Sequence, residues 1–279
     1  MKVKLYDEYG ALNSVPVFDA FRRGLDHVGD NTTDRFDDAD VVVIWSILFS
    51  GRMEPNGRIW KKAHAVKKPC VVLEIGALER NISWKVGLNG INRKATWVKP
   101  FEENRFDRFN IDVKPWKDDG EFITICTQRP DSTQWPKDLT IEKWVKEQIE
   151  YCHDMEFNRP IVVRPHPRDK RTNFSFLAKM ENIFFDAPQM VLGTYDSYNH
   201  NETFDRSWMV MNHSSGPGVQ AALNGINVVV SPDSLAHDVD FRKETHPDRT
   251  QWLNMLAHTE WYLEEIAEGT PWKHLKDSL

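Results

Sequence analysis

Residues 211–233 read MNHSSGPGVQAALNGINVVVSPD. The apolar run SWMVMN (207–212) breaks into a turn of hydroxyls and glycines. A small-residue segment, VQAALNG, follows, and then a second apolar run, INVVVSP (226–232). Continuous β-branched runs without strict alternation suit strands buried on both faces, as in a parallel sheet. The small side chains between them predict a helix that lies close against that sheet. The stretch therefore reads as strand, turn, helix, strand, the repeating unit of an α/β fold.

The same rhythm extends in both directions. KVKLY (2–6), DVVVIW (40–45) and PCVVLEIG (69–76) are predicted strands, with helices around 15–25 and 55–66. After residue 118 come EFITICT (121–127), a helix at 140–152, PIVVRP (160–165) and the two runs of the opening stretch, with amphipathic helices filling 249–267. The two groups of strands are separated by FEENRFDRFNIDVKPWKDDG (101–120), a polar segment containing Pro115 and Gly120. The expectation is an α/β protein of two Rossmann-like, doubly wound domains facing a cleft. Their predicted extents are 1–112 and 113–279, with the last helix packing back on the first domain.

Composition narrows the class. The 279 residues are 40% hydrophobic and 28% charged, as in ordinary globular proteins. No apolar stretch approaches the roughly 18 residues of a membrane span. The opening MKVKLYDEYG is acidic by Asp7 and has no apolar signal core, so a cytoplasmic location is expected. The three cysteines form no CxxC pair and are expected to be buried free thiols. The net charge of −6 hides an asymmetry. Residues 1–118 carry 20 Lys+Arg against 17 Asp+Glu, and residues 119–279 carry 16 against 25. Within 51–100 there are 11 basic and 3 acidic side chains, with Trp60, Trp84 and Trp97 among them. Such a stretch suits either a polyanion or a solvated basic surface.

Open α/β sheets bind ligands at the carboxyl ends of their strands, which selects the polar residues to examine. They are Thr127, Gln128, Arg129 and Asp131, then Arg164, His166 and Arg168, then His213, Ser214, Ser215 and Gly216, then Ser231, Pro232 and Asp233. Free amides at a helix start favour phosphate, and Ser214 and Ser215 add hydroxyl donors beside the open backbone of Gly216 and Gly218. Simple serine capping of the helix is the competing explanation. In RPHPR (164–168) two prolines stiffen the presentation of His166 between two arginines. That set can neutralise a diphosphate leaving group, with His166 hydrogen-bonding or protonating it; a structural histidine is the alternative. A P-loop and a GxGxxG dinucleotide motif are both absent.

RPHPR followed by HSSGPGVQAALNGINVVV resembles the paired His-Pro and Ser-Ser motifs of GT-B-fold glycosyltransferases, a pairing shared by bacterial sialyltransferases and capsule Kdo transferases. The chain is also similar to phage-encoded glycosyltransferases that decorate hydroxymethylated bases in DNA. That second likeness is carried by VVVIWSILFSGRMEPNGRIW (41–60), LEIGALERNISWKVGLNGIN (73–92) and ICTQRPDSTQW (125–135). The resemblance implies that His166, Ser214 and Ser215 contact the donor's nucleotide phosphate, with Gln128 and Arg129 at the edge of the preceding strand beside them; the residue chemistry adds Arg164, Arg168 and Gly216 to the donor site. It also implies a UDP- or CMP-type sugar donor as substrate and no tightly bound cofactor. A divalent metal is compatible with the sequence but not required by it; DVD (238–240) lies away from a strand end.

Inverting transfer requires a carboxylate that deprotonates the acceptor hydroxyl. Glu74 and Asp7, each at a strand end of the first domain, are the candidates, with Glu8 beside Asp7. The expected acceptor is duplex DNA carrying 5-hydroxymethylcytosine, contacted by Arg52, Arg58, Lys61, Lys62, Lys85 and Arg93. A phage protein of this kind would act in the host cytoplasm. Two alternatives remain: a capsule or lipopolysaccharide glycan as acceptor, and a non-catalytic nucleotide-sugar-binding protein.

Overall fold

The computed structural model describes residues 1–190 and 200–279. The chain forms two compact units, one of residues 1–111 with 250–279 and the other of residues 112–249.

The first unit opens with β1 (Lys2–Leu5), α1 (Val15–His27), β2 (Asn31–Thr32), β3 (Val41–Trp45), α2 (Glu54–Ala65), β4 (Cys70–Ile75) and β5 (Trp84–Leu88). Strands β2, β1, β3 and β4 are parallel neighbours in that order, and β5 runs antiparallel to β4. All five residues of β3 are buried, which is why VVVIW shows no alternation. The two faces are sorted residue by residue. Val71 and Leu73 join the core that contains Phe18, Phe21 and Leu25 of α1, while Cys70 and Val72 join the one that contains Ala63 of α2. Each helix starts with a proline in its first turn, where the missing N–H costs nothing.

The second unit comprises β6 (Phe122–Cys126), α3 (Ile141–Asp154), β7 (Ile161–Arg164), β8 (Ile183–Phe185), α4 (His200–Arg206), β9 (Ser207–Asn212), α5 (Gly216–Leu223) and β10 (Asn227–Val230). Its sheet runs β10-β9-β6-β7-β8 and is parallel throughout. This is the Rossmann order, and the direction of winding reverses between β6 and β9. Cys126 and Cys152 are buried free thiols whose pKa values burial pushes up to about 12; Cys70, also free and buried, is raised further.

The chain then returns to the first unit through α6 (Thr250–Ala257), β11 (Glu260–Trp261), α7 (Leu263–Ala267) and α8 (Thr270–Lys276). β11 adds antiparallel to β5, pairing Trp261 with Trp84, and completes the sheet order β11-β5-β4-β3-β1-β2. The return is larger than the single helix expected from the sequence. Its physical basis is two tryptophans, Trp261 and Trp272, both fully buried in the core of the first unit. Trp272 Nε1 and Lys276 Nζ also donate to Asp30, each at 2.7 Å. No helix among the described residues is long and apolar enough to cross a membrane.

His258 is fully buried in this returning segment. It lies 2.8 Å through Nδ1 from the Asn254 carbonyl and accepts at Nε2 from the Phe101 amide at 3.2 Å. A ring with one donating and one accepting nitrogen is neutral. Burial, reinforced by the nearby Arg105, lowers its pKa against the opposing pull of the Asn254 carbonyl. The unfolded chain therefore takes up this proton first as the pH falls. Stability from His258 is complete above roughly pH 6.5 and is lost below it, towards the lowered folded-state pKa. Urea unfolding of wild type and His258→Gln between pH 8 and pH 5 should show a stability gap that narrows as the pH falls; a gap independent of pH would contradict this.

Candidate functional site

The reversal in winding between β6 and β9 places a crevice at the carboxyl ends of those strands. Two predicted residues meet there. Gln128, just past β6, accepts through Oε1 from both the amide and the hydroxyl of Ser214, each at 3.3 Å. Ser214 also lies 3.2 Å from Nδ1 of His213, whose ring packs against Trp135. Ser214 is buried, so its hydroxyl serves chiefly to join the β9 turn to the end of β6.

Ser215 occupies the cap position of α5, yet its side chain makes no capping bond. Its hydroxyl instead pairs with Asn212, which accepts from Ser215 and donates to it as well as to the Cys126 carbonyl. The capping explanation of the serines is thus not the one realised, and the first amides of α5 receive no side-chain cap. The two glycines differ. A Cβ on Gly216 would meet nothing within 4 Å, whereas one on Gly218 would lie 2.9 Å from Val230 Cγ1. Gly218 therefore permits close helix–strand packing, and only Gly216 leaves the approach to the backbone open.

β7 lies on the other side of β6, and its end carries the His-Pro turn. The His166 amide donates to Thr127 Oγ1 at 3.1 Å, tying this turn to the end of β6. His166 Nδ1 accepts from the Arg168 amide at 3.0 Å. An acceptor at Nδ1 puts the proton of the neutral ring on Nε2, making His166 a hydrogen-bond donor through that nitrogen.

The arginines are placed differently from the sequence expectation. Arg164 is only 2% exposed and is committed to Asp186 and, at 3.0 Å, to Thr203. Arg129 grips Asp131 with both arms of its guanidinium, at 2.9 and 2.8 Å, and this holds the Asp131 carboxyl below the usual carboxylate range. Both are already neutralised inside the fold. Arg168 is half-buried on the His-Pro turn. Asp240 of the DVD triplet accepts from the Val230 amide and from Arg242, while Asp238 pairs with Lys243, so the triplet serves the fold.

In the first unit the candidate carboxylates are separated by β3. Asp7 is ion-paired with Arg22 at 2.7 Å. Glu74 is half-buried in β4, accepts from the adjacent Ile75 amide at 2.9 Å and lies opposite Lys85 in the register. Sequence reasoning missed Asn56, which is fully buried and donates to the Trp45 carbonyl at 2.8 Å and the Tyr9 carbonyl at 3.3 Å. It ties together the ends of β1 and β3, the point where this sheet reverses its winding. Its only signal was an NG pair inside a helical segment.

The basic stretch is distributed over several elements. Arg52 precedes α2, Arg58, Lys61 and Lys62 lie exposed on it, Lys85 is half-buried in β5, and Arg93 is exposed beyond β5. Lys62 pairs with Asp37 at 3.2 Å and sits over the Phe36 ring. The tryptophans are occupied: Trp84 is in the core, Trp97 Nε1 donates to the Asn92 carbonyl, and Trp60 packs against Phe49 and His64. Trp84 is therefore not a surface on which a flipped base can stack.

No protein-family model matches the chain, and no curated protein does. Among solved structures it is similar to KpsC of Thermosulfurimonas dismutans, a beta Kdo 2,7 transferase, at 13% identity and a TM-score of 0.50 over 99% of this chain and 98% of that one. It is also similar to the beta Kdo 2,4 transferase KpsC of the same organism, at 13% identity and a TM-score of 0.46 over 93% and 90%. At these identities the likeness is one of fold, and the chain has the expected α/β architecture with two Rossmann-like sheets.

Proposed function

We propose that this protein is a glycosyltransferase that moves a sugar from a nucleotide-sugar donor, held by residues 112–249, to a hydroxyl of a glycan. One observation carries the donor half: the uncapped start of α5, open at Gly216, at the winding reversal beside the His-Pro turn. The Ser215 and Gly216 amides and the Nε2–H of His166 are suited to the donor phosphate. As the bond from sugar to phosphate breaks, negative charge grows on the leaving oxygen, and these fixed donors stabilise it. Gln128 and Ser214 hold the turn in place and Asn212 orients Ser215.

The acceptor hydroxyl must lose its proton to a carboxylate. Glu74 fits that role better than Asp7, whose charge is already satisfied by Arg22. The likeness in fold to a beta Kdo 2,7 transferase supports sugar transfer and favours a glycan over hydroxymethylcytosine DNA as acceptor. Pairing of Lys62 with Asp37 and burial of Trp84 point the same way.

Gly216→Asp tests the donor site cleanly. The new side chain has room, and an acidic residue in the first turn suits the helix, so folding stability should stay within about 0.5 kcal/mol of wild type. A carboxylate at the phosphate position should weaken binding of CMP- or UDP-sugars by about tenfold or more, or about 1.4 kcal/mol. Calorimetric titration reads this directly, and equal affinity of the two proteins would remove the phosphate from α5.

A further inference from the structure

Glu260 of β11 is only 1% exposed, and its carboxylate leaves its own strand to bind a loop far away in sequence. Oε1 accepts from the Ala77 amide at 2.7 Å, and Oε2 accepts from the Leu78 amide at 3.0 Å and the Ser83 hydroxyl at 2.7 Å. Gly76 is required by this approach, since a Cβ there would lie 2.4 Å from Oε2 and equally close to the Ser83 carbonyl oxygen. Two residues further on, the Tyr262 hydroxyl donates to Glu79. The returning segment thus grips residues 76–83 at both the backbone and the side chains.

The gripped loop follows the carboxyl end of β4, and its Asn81 accepts at 3.0 Å from Asn13, which lies between β1 and α1. The strand order is β4-β3-β1. To reach Asn13, the loop must pass beyond the carboxyl end of β3, where Ser46 adopts a left-handed φ of 59°. That is the winding reversal of the first unit, where an open sheet binds its ligand. Burial of the loop itself is uneven, with Arg80, Asn81 and Ile82 exposed, so its course depends heavily on the buried carboxylate.

We infer that Glu260 is a positioning residue, whose carboxylate holds residues 76–83 as one wall of the acceptor-binding crevice at the ends of β1 and β3. The inference rests on the proposed transferase reading with the acceptor at the first unit. Glu260 touches no substrate; it acts through the loop. A displaced wall no longer meets the bound acceptor, and losing about one net hydrogen bond there weakens acceptor binding by roughly tenfold.

Glu260→Gln tests this, because an amide cannot accept from two backbone N–H groups and a hydroxyl without turning a donor towards a donor. Two readouts apply: tryptic cleavage after the exposed Arg80 under native conditions, and separate KM values for donor and acceptor. Cleavage is expected to accelerate, and the acceptor KM to rise on the order of tenfold with the donor KM unchanged. Ser83→Ala, which removes one of the three hydrogen bonds, should shift both readouts in the same direction by less, and it serves if the glutamine variant does not fold. Unchanged cleavage and acceptor KM, or a loss of kcat with both KM values intact, would overturn the role. Wild-type protein that transfers no sugar would instead overturn the transferase reading, a result distinct from the cleavage comparison.

Discussion

Replacing His166 by alanine is expected to lower sugar transfer by about 10²-fold or more with little change in thermal stability. The imidazole is half-buried, and its Nδ1 accepts locally from the Arg168 amide at 3.0 Å. The backbone bond that fixes the turn, from the His166 amide to Thr127 Oγ1, does not involve the side chain and survives the substitution. What is lost is the Nε2–H, which is aligned by the neutral tautomer and costs no reorganisation when charge develops on the leaving phosphate. Steady-state kinetics together with a melting curve separate the possibilities. Full turnover in the alanine variant, or a loss of stability that accounts for the loss of rate, would leave His166 a structural residue.

Arg105→Ala is expected to destabilise the first unit by about 3 kcal/mol, because it breaks a buried pair and leaves two carbonyls without this donor. Arg105 is 1% exposed. It donates through Nε to the Ala257 carbonyl at 2.8 Å, through Nη2 to the Glu260 carbonyl at 3.1 Å, and through both arms to Glu265. Its guanidinium also stacks over the Trp261 ring at 4.0 Å. Without it, two carbonyls lose this donor, and the Glu265 carboxylate keeps only Arg108 at 3.3 Å and the Tyr262 amide at 2.9 Å among its described donors. Urea denaturation measures the loss, and a change below about 1 kcal/mol would mean that water replaces the arginine. Glu265→Gln in the same background should recover part of it by removing a charge that has lost its buried partner.

Most strands legible in the sequence are those buried largely on both faces: β3, β4, β6, β7, β9 and β10 carry runs such as VVVIW and NVVV, while β1 shows as the alternation KVKL. The unrecognised ones have no such run. β2 and β11 are two residues long, β8 is three, and β5 breaks its pattern with Lys85 and Gly87. They form because a neighbouring strand offers unpaired backbone groups, which is a tertiary fact. The same limit explains the site. Position at a strand end selected Gln128, His166, Ser214 and Ser215, and topology brings their turns together, with Gln128 bonded to Ser214 and the His166 amide to Thr127. It could not reveal that Arg164 is bound to Asp186 or that Lys62 meets Asp37, because those partners are distant in sequence. Nor did it separate Gly216, open to the surface, from Gly218, packed on β10.

The most direct test is a transfer assay read by mass spectrometry. Wild-type protein is incubated with CMP- and UDP-sugars and with two acceptors in parallel, a set of capsule- and lipopolysaccharide-type oligosaccharides and duplex DNA containing 5-hydroxymethylcytosine. The expected result is a sugar mass added to an oligosaccharide, dependent on the donor and reduced by about tenfold or more at limiting donor in Gly216→Asp. Addition to the hydroxymethylated base alone would move the acceptor to DNA, and donor binding without addition to either would contradict transfer and leave a nucleotide-sugar-binding protein.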